Sequence, residues 1–367
     1  MYIQNKLFKE YFILQYLFFF IIIVIPQLFF YEDLWDGTIY NYAQEINEFD
    51  GAKLQLYEPG WALNYWFIIS IIKIANLLNA EYYSLYIFLL CIFYLLFLKK
   101  VKIFIKKFIF QDETLIANTL LLVSIFSIQS YYFSSIMLWH LFCQISILYG
   151  IRSFNSSNRS NLLISLIFLF VGFSFKSALL YIFVIALYYN EDKIFTKKYL
   201  FLVLYGISIF FFFHYYLDNS GRSESYAQIL NFLDPNNFFI FFKTFLTYLT
   251  FAMPISFLIF FFLINIFLNN KITQLKESYK FFLIKLFRFI WLNKNLFLLL
   301  AASIIPYITI GRNHVIWDVE DWAGRSAILL ILPISIISIG LIDYFYNLKI
   351  ISKKISIISI IFLFLIN

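Results

Sequence analysis

Long apolar runs separated by short polar segments make up most of the chain. Runs such as 17–25 and 209–213 are apolar on every side, as expected for a helix surrounded by hydrocarbon. In lipid the backbone has to satisfy its own hydrogen bonds, so runs rich in Phe and Ile are expected to be helical. The pattern predicts an all-α polytopic membrane protein with about eleven spans, some of them short, at 11–31, 82–98, 114–130, 131–150, 161–175, 177–190, 199–217, 253–269, 295–311, 326–345 and 355–367.

Two further helical stretches, 61–79 and 237–252, are predicted to lie in the membrane interface. In the first, Ser70, Lys73, Asn76 and Asn79 recur every three residues and give one polar flank to an otherwise apolar helix. Such a helix suits the interface between lipid and water. The alternative is a spanning helix that carries one lysine.

Composition supports the membrane class. Hydrophobic residues make up 62% of the 367 residues and charged residues 13%, against about 25% charged in soluble domains. We therefore expect a single integral membrane domain over 1–367. The net charge of +7 indicates contact with anionic membrane lipid and requires no nucleic acid. Cys91 and Cys143 stand far apart in apolar runs, which is not typical of a thiolate metal site.

Basic residues orient the predicted spans. With the N-terminus in the cytoplasm, 21 of the 28 Lys and Arg residues fall in cytoplasmic segments, which is the usual bias of membrane proteins. Segments 99–107 and 271–294 carry the most Lys and Arg residues. This assignment requires that 61–79 does not cross the membrane. It predicts a multi-pass protein of the inner (plasma) membrane.

Acidic residues favour the other side. In the same topology 14 of the 21 Asp and Glu residues are extracytoplasmic, most of them in loops 32–60, 218–236 and 311–325. Because acids follow topology only weakly, their concentration in three loops indicates a site there.

The first of these loops carries the strongest chemical signal. Asp33 and Asp36 directly follow the first span, and Glu58 and Trp61 close the loop. A carboxylate at the membrane surface can act as general base toward a sugar hydroxyl, or hold a divalent cation such as Mg²⁺ or Mn²⁺ against a diphosphate. Asp36 is the candidate for both roles and Asp33 for assistance. Capping of a short helix is the structural alternative.

The loop at 311–325 carries candidate groups for phosphate and sugar. Arg312 and Arg325 flank an acidic segment, and a guanidinium suits phosphate or diphosphate. His314 lies beside Arg312, and Trp322 offers a face on which a sugar ring can stack. The alternatives are a salt bridge for Arg325 and a place in the interfacial aromatic belt for Trp322.

Lys176 joins two short predicted spans, 161–175 and 177–190. Helices of this length reach about 21–23 Å, less than the ~30 Å of a bilayer core, so their junction is expected in a cavity below the outer surface. A lysine there needs water or an anion, and snorkelling to the headgroups is the alternative. His140, within a predicted span, is expected to be a packed histidine.

The first outer loop also resembles a known class. Trp35-Asp36-Gly37, followed by a tyrosine and an Ala-containing helix just after the first span, resembles the first outer loop of GT-C-class glycosyltransferases. The likeness covers some 30–50 residues of loose motif. It implies a polyprenyl-phosphate-linked sugar donor, a glycan or lipid-linked acceptor, and catalysis or metal contact by Asp36.

Three other functions compete with this hypothesis. The arginines of loop 311–325 resemble those of O-antigen-type polymerases and ligases, so a surface-polysaccharide polymerase is the first alternative. A transporter or flippase of lipid-linked saccharide is the second, although such a protein should line a path across the whole membrane with charge. A non-catalytic membrane scaffold is the third.

Overall fold

Twelve α-helices, and no strand, are found in the part of the chain that the structure describes. The structure is a computed structural model, and it describes residues 62–131, 137–155, 160–175, 178–190, 196–213, 234–247, 275–309, 328–348, 350–351 and 353–366. The helices, in chain order, are α1 (Ala62–Leu77), α2 (Tyr82–Phe108), α3 (Glu113–Tyr131), α4 (Met137–Phe154), α5 (Ser160–Ser174), α6 (Leu179–Tyr189), α7 (Lys197–Phe211), α8 (Pro235–Thr247), α9 (Leu275–Leu292), α10 (Lys294–Thr309), α11 (Ile328–Asn347) and α12 (Lys353–Ile366).

The all-α prediction is confirmed for these residues, and most predicted spans match a helix. The predicted segments 114–130 and 161–175, for example, correspond to α3 and α5 within a residue. The segments 11–31 and 253–269 lie outside the described residues. Among the described helices, one is long and apolar enough to cross a membrane by itself, over Leu329–Asn347 of α11. The helices α9 and α10, which are bent relative to each other, pass the same test together and would form a second span if they are counted as one. The eleven-span arrangement therefore stays a prediction.

The helices α2 and α4 run side by side in the same direction. Phe93 stacks on Phe142, and seven residues further along both helices the Lys100 ammonium lies 4.2 Å from the centre of the Tyr149 ring. Both helices therefore finish at the same end of the bundle. The helix α6 finishes there as well, because Tyr189 packs edge-on against Phe108.

We call this end the lysine end, because the last turns of α2 and α4 and the first turn of α7 carry Lys or Arg. Its described basic residues on these helices are Lys99, Lys100, Lys102, Lys106, Lys107, Arg152, Lys197 and Lys198. A cation at a helix C-terminus faces the negative end of the helix dipole, which favours the basic ends of α2 and α4.

The remaining long helices run antiparallel to these or to one another. Gly340 of α11 lies against Phe110, which precedes α3, so α11 ends at the lysine end where α3 begins. The Ser303 hydroxyl of α10 donates to the Leu329 carbonyl at 3.1 Å, which joins the last part of α10 to the first turn of α11. We call this second end, where α10 stops and α11 starts, the opposite end.

Small residues let helices α4 and α5 approach closely. A Cβ atom at Gly172 would lie 2.7 Å from Cγ1 of Ile147, and one at Gly150 would lie 2.8 Å from Cγ of Leu169. The two contacts also show that α5 is antiparallel to α4. Close packing through glycine is typical of helix pairs in membranes.

The helix α1 forms an antiparallel hairpin with α2, and the placement of 61–79 in the membrane interface stays a prediction. Phe67 and Phe93 lie equally far from the turn at 78–81, and their rings stack with centroids 6.2 Å apart. Because a helix at right angles to α2 would hold Phe67 far from Phe93, α1 must run along α2. The prediction of the polar flank was correct, since Ser70 and Lys73 are exposed.

Residues 275–292, part of a predicted cytoplasmic loop, form the helix α9. Phe282 stacks on Phe345 of α11 with ring centroids 4.8 Å apart, and Phe289 packs against Tyr344. The sequence predicted a side of the membrane for this segment and no helix, because the many basic residues obscured an amphipathic pattern whose apolar positions give α9 a face for α11. The second predicted interfacial helix, 237–252, corresponds to α8, which packs against α10.

Candidate functional site

The helix ends next to three of the predicted site segments lie at the opposite end of the bundle. There α10 ends and α11 begins on either side of segment 310–327, and α5 ends and α6 begins on either side of Lys176. The helix α7 runs parallel to α5, since Tyr205 donates to the Leu166 carbonyl at 2.9 Å and Phe213 contacts Phe170. It therefore also ends there, just before the loop predicted at 218–236.

The first predicted loop meets the bundle differently. Residue 61 is followed by Ala62, the first residue of α1, and the hairpin carries α1 from this point toward the opposite end. Ala62 is thus at the end of α1 that is nearer to the lysine end. The chain ends next to segments 176–177 and 310–327, and the end of α7 before segment 214–233, lie at the same end of the bundle, whereas segment 32–60 joins α1 at its other end.

None of the predicted site residues lies among the described residues. Asp33, Asp36, Glu58, Trp61, Lys176, Arg312, His314, Trp322 and Arg325 all fall in the segments that the structure leaves out. Their roles, including the metal contact of Asp36, stay predictions. In the described part of the chain, no group of three or more His, Cys, Asp or Glu residues has the arrangement of a metal site.

His140 is a buried polar residue near the opposite end of the bundle. It lies in the first turn of α4, is buried, and packs its ring against Phe175 with centroids 4.6 Å apart. Phe175 directly precedes Lys176 in the chain. The prediction that His140 is a packed histidine agrees with this burial and ring contact.

Gln144 is a second buried polar residue on α4, and the sequence pattern did not single it out. It follows His140 by four residues, so both side chains leave the same face of α4, and it is buried as well. The i, i+4 spacing of two polar residues in an apolar run was the available signal. Two polar side chains on one buried face mark the part of α4 nearest to the α5–α6 junction.

The helices on either side of Lys176 are both short, α5 as short as predicted and α6 shorter. The helix α5 has 15 residues and α6 has 11. At 1.5 Å per residue they span about 22 Å and about 16 Å, less than the ~30 Å of a bilayer core. The position of their junction relative to the membrane surface stays a prediction.

Two of the lysines at the lysine end are paired with a carboxylate. Glu113, at the start of α3, accepts a hydrogen bond from Lys106 and forms an ion pair with Lys102 at 3.5 Å. The hydrogen bond from Lys106, with help from the positive charge of Lys102, holds the pKa of the Glu113 carboxyl below its usual value. This pairing ties the end of α2 to the start of α3.

Lys100 is placed between like charges. Burial lowers the pKa of its ammonium, and the nearby Arg152 and Lys99 lower it further. The Tyr149 ring beneath the ammonium offers a cation–π contact that offsets part of this cost. The lysine end is thus a strongly basic surface, as predicted for a side that faces anionic lipid.

Comparison with known proteins identifies no relative. The chain matches no protein-family model, no curated protein and no solved structure at a significant level.

Proposed function

We propose that the chain is an integral membrane enzyme of cell-surface glycan synthesis, which transfers sugar from a polyprenyl-phosphate or diphosphate donor at the opposite end of the bundle. The observation that carries the proposal is the separation of the two ends. Basic residues cluster at the lysine end, and the helix ends next to Lys176 and next to the arginine loop lie at the other end.

Exposed apolar side chains support the membrane location. Leu163, Leu204 and Phe239 each leave about two thirds of their surface uncovered, and Leu77 leaves 83%. They lie on α5, α7, α8 and α1, so the uncovered apolar surface is spread over several helices. Soluble monomers rarely expose so much continuous apolar surface, and a bilayer would cover it.

The basic end supports the orientation. Lys and Arg are retained on the cytoplasmic side of membrane proteins, so the lysine end belongs in the cytoplasm. The opposite end is then extracytoplasmic, where an acceptor glycan is available. A lipid-linked donor can reach a junction below the surface from within the bilayer.

Within the site, each predicted residue has a chemical role. Arg312 and Arg325 neutralise the donor phosphate, with Lys176 below them as a further cation. Asp36 acts as general base toward the acceptor hydroxyl or as ligand of a divalent cation, and Asp33 assists it. His314 and Trp322 complete the binding surface for sugar and phosphate at the opposite end. The predicted contacts of Glu58 and Trp61 are less well supported, because the chain joins α1 directly after them, at the end of α1 nearer to the lysine end.

The hairpin of α1 and α2 favours a second candidate, a polysaccharide polymerase. Segment 310–327 has both flanking helix ends at the opposite end, whereas segment 32–60 joins α1 at its other end. The arginine loop is thus the better supported part of the site. A polymerase would use this loop to hold the diphosphate of a lipid-linked chain.

Substitution in cells tests the proposal and separates the two candidates. Asp36→Asn and Arg325→Gln are compared with Glu45→Gln and Arg222→Gln, which remove the same charges at other positions of the predicted outer loops. Loss of surface glycan in the first pair only is the expected result. Accumulation of single lipid-linked repeat units in Arg325→Gln, with Asp36→Asn unaffected, would favour the polymerase. Normal glycan in both variants at normal protein levels would refute glycosyl transfer at this site.

A further inference from the structure

The helix α9 has one face packed on the bundle and one face uncovered. Its packed face presents Phe282 and Phe289 to α11, where they contact Phe345 and Tyr344. Phe289 also meets Phe297 at the start of α10, at 6.3 Å between ring centroids. These contacts fix the rotation of α9 about its own axis, so its other face must point away from the bundle.

The uncovered face is both apolar and basic. Phe287 and Trp291 leave 67% and 77% of their surface exposed, and Phe281 and Ile284 about half. The exposed Lys280 and Arg288 lie among them. Lys285 holds its ammonium 5.0 Å from the Phe281 ring, along the edge of the apolar stripe.

The helix also turns sharply out of the bundle. Its axis and that of α10 differ by 76° across the break at residue 293. Because α10 runs along the bundle, α9 lies nearly crosswise at the lysine end. A crosswise helix with a stripe of large apolar side chains between basic ones has the properties of an interfacial helix.

We infer that α9 lies in the surface of the anionic leaflet that faces the lysine end, with Phe287 and Trp291 among the first acyl carbons and Lys280 and Arg288 at lipid phosphates. The inference rests on the membrane location proposed above. Phospholipid is the occupant that the charges favour. A second copy would bring the basic lysine end against another basic surface, and an acidic protein would leave the apolar stripe without a matching surface.

Nitroxide labels measure how deep α9 lies. The two native cysteines of the full chain are first removed by Cys91→Ser and Cys143→Ala. A single label is then attached in each of the variants Phe287→Cys and Leu204→Cys. Lys197→Cys provides the aqueous reference. The protein is reconstituted in vesicles of phosphatidylcholine with phosphatidylglycerol. Relaxation by oxygen and by a water-soluble nickel complex is then compared.

We expect the label at 204 to relax with oxygen, the label at 197 with nickel, and the label at 287 mainly with oxygen but at a shallower depth than 204. A label at 287 as accessible to nickel as the one at 197 would refute the inference. So would protection from both reagents, which indicates a protein partner, or dipolar coupling between two labels at 287, which indicates a second copy. If the label at 204 also proves aqueous, the membrane location itself has failed.

The preference for anionic lipid is tested by charge removal. The triple variant Lys280→Gln, Lys285→Gln, Arg288→Gln is compared with Lys197→Gln, Lys198→Gln, Lys353→Gln, which removes the same charge elsewhere near the lysine end. Retention of phosphatidylglycerol over phosphatidylcholine is read by native mass spectrometry. We expect at least a roughly tenfold loss of preference in the first variant and a much smaller loss in the second. Equal losses would show that α9 has no special role.

Discussion

Among single residues, the described polar groups serve structure, and the residues with predicted chemistry lie elsewhere. Residue types alone suggested Asp36, Lys176, Arg312 and Arg325, because carboxylates and cations in polar outer loops suit phosphate and sugar. The geometry of these groups cannot be read from the sequence, since it depends on how distant loops meet. His140 was correctly interpreted, because an isolated histidine in an apolar run usually packs.

Glu113 is expected to hold α2 and α3 together in a pH-dependent way. Its paired carboxylate has a pKa below the ordinary value of about 4.3, so it stabilises the protein above that pH. The contribution is lost as the pH falls through the lower, folded-state pKa. Since the side chain is about a third exposed, Glu113→Gln should cost at most about 1 kcal/mol at pH 7.

A double-mutant cycle with Lys106→Gln measures this pairing. Thermal unfolding of the two single variants and the double variant, in detergent at pH 7, should give a small favourable coupling that shrinks as the pH falls below about 4. A coupling of zero at pH 7, or one that grows in acid, would contradict the assigned pair.

Gly172 is expected to be the most sensitive point of the α4–α5 contact. In Gly172→Ala the new Cβ would press on Ile147, whose side chain is fully buried and has little room to move. Overpacking of this kind costs roughly 1–3 kcal/mol. Leu163→Ala, on the exposed face of the same helix, is the control. Thermal unfolding in detergent should show a clearly larger loss for Gly172→Ala, and equal stability of the two variants would contradict the packing.

At the scale of helices, the sequence predicted where helices occur better than how their axes are directed. Apolar runs located α3, α5 and α10 closely, because hydrophobicity alone decides which segments avoid water. For α1 the polar spacing identified the exposed flank correctly but could not give the direction of the axis, which depends on the partner helix. For α9 the charges predicted a cytoplasmic segment but not its helix, because the basic residues obscure the apolar positions that contact α11.

The hairpin of α1 and α2 is open to a crosslinking test. In a background without Cys91 and Cys143, the pair Phe67→Cys and Phe93→Cys should be joined by a short thiol crosslinker, because the native rings stack. The matched pair Trp66→Cys and Phe93→Cys should not, because Trp66 points to the exposed side of α1. Mobility on a denaturing gel distinguishes linked from unlinked protein. Equal yields from the two pairs would contradict the hairpin.

For the whole molecule, the main feature is a helical bundle with two chemically different ends. The bias of Lys and Arg along the sequence predicted one basic side, and the described helices do bring those residues to one end. The sequence could not show that the helix ends flanking segments 176–177 and 310–327 lie at the same end of the bundle, because this follows from the pairing of α10 with α11 and of α4 with α5. The proposed enzyme requires these two ends to face opposite sides of a membrane.

Labelling of exposed cysteines in intact cells tests this requirement most directly. Glu81→Cys, beside the turn of the hairpin, and Lys197→Cys, at the lysine end, are made one at a time in a background without Cys91 and Cys143. A membrane-impermeant maleimide should label position 81 in intact cells and position 197 only after the cells are permeabilised. Labelling of both positions in intact cells, of neither, or of position 197 alone would contradict the proposed orientation.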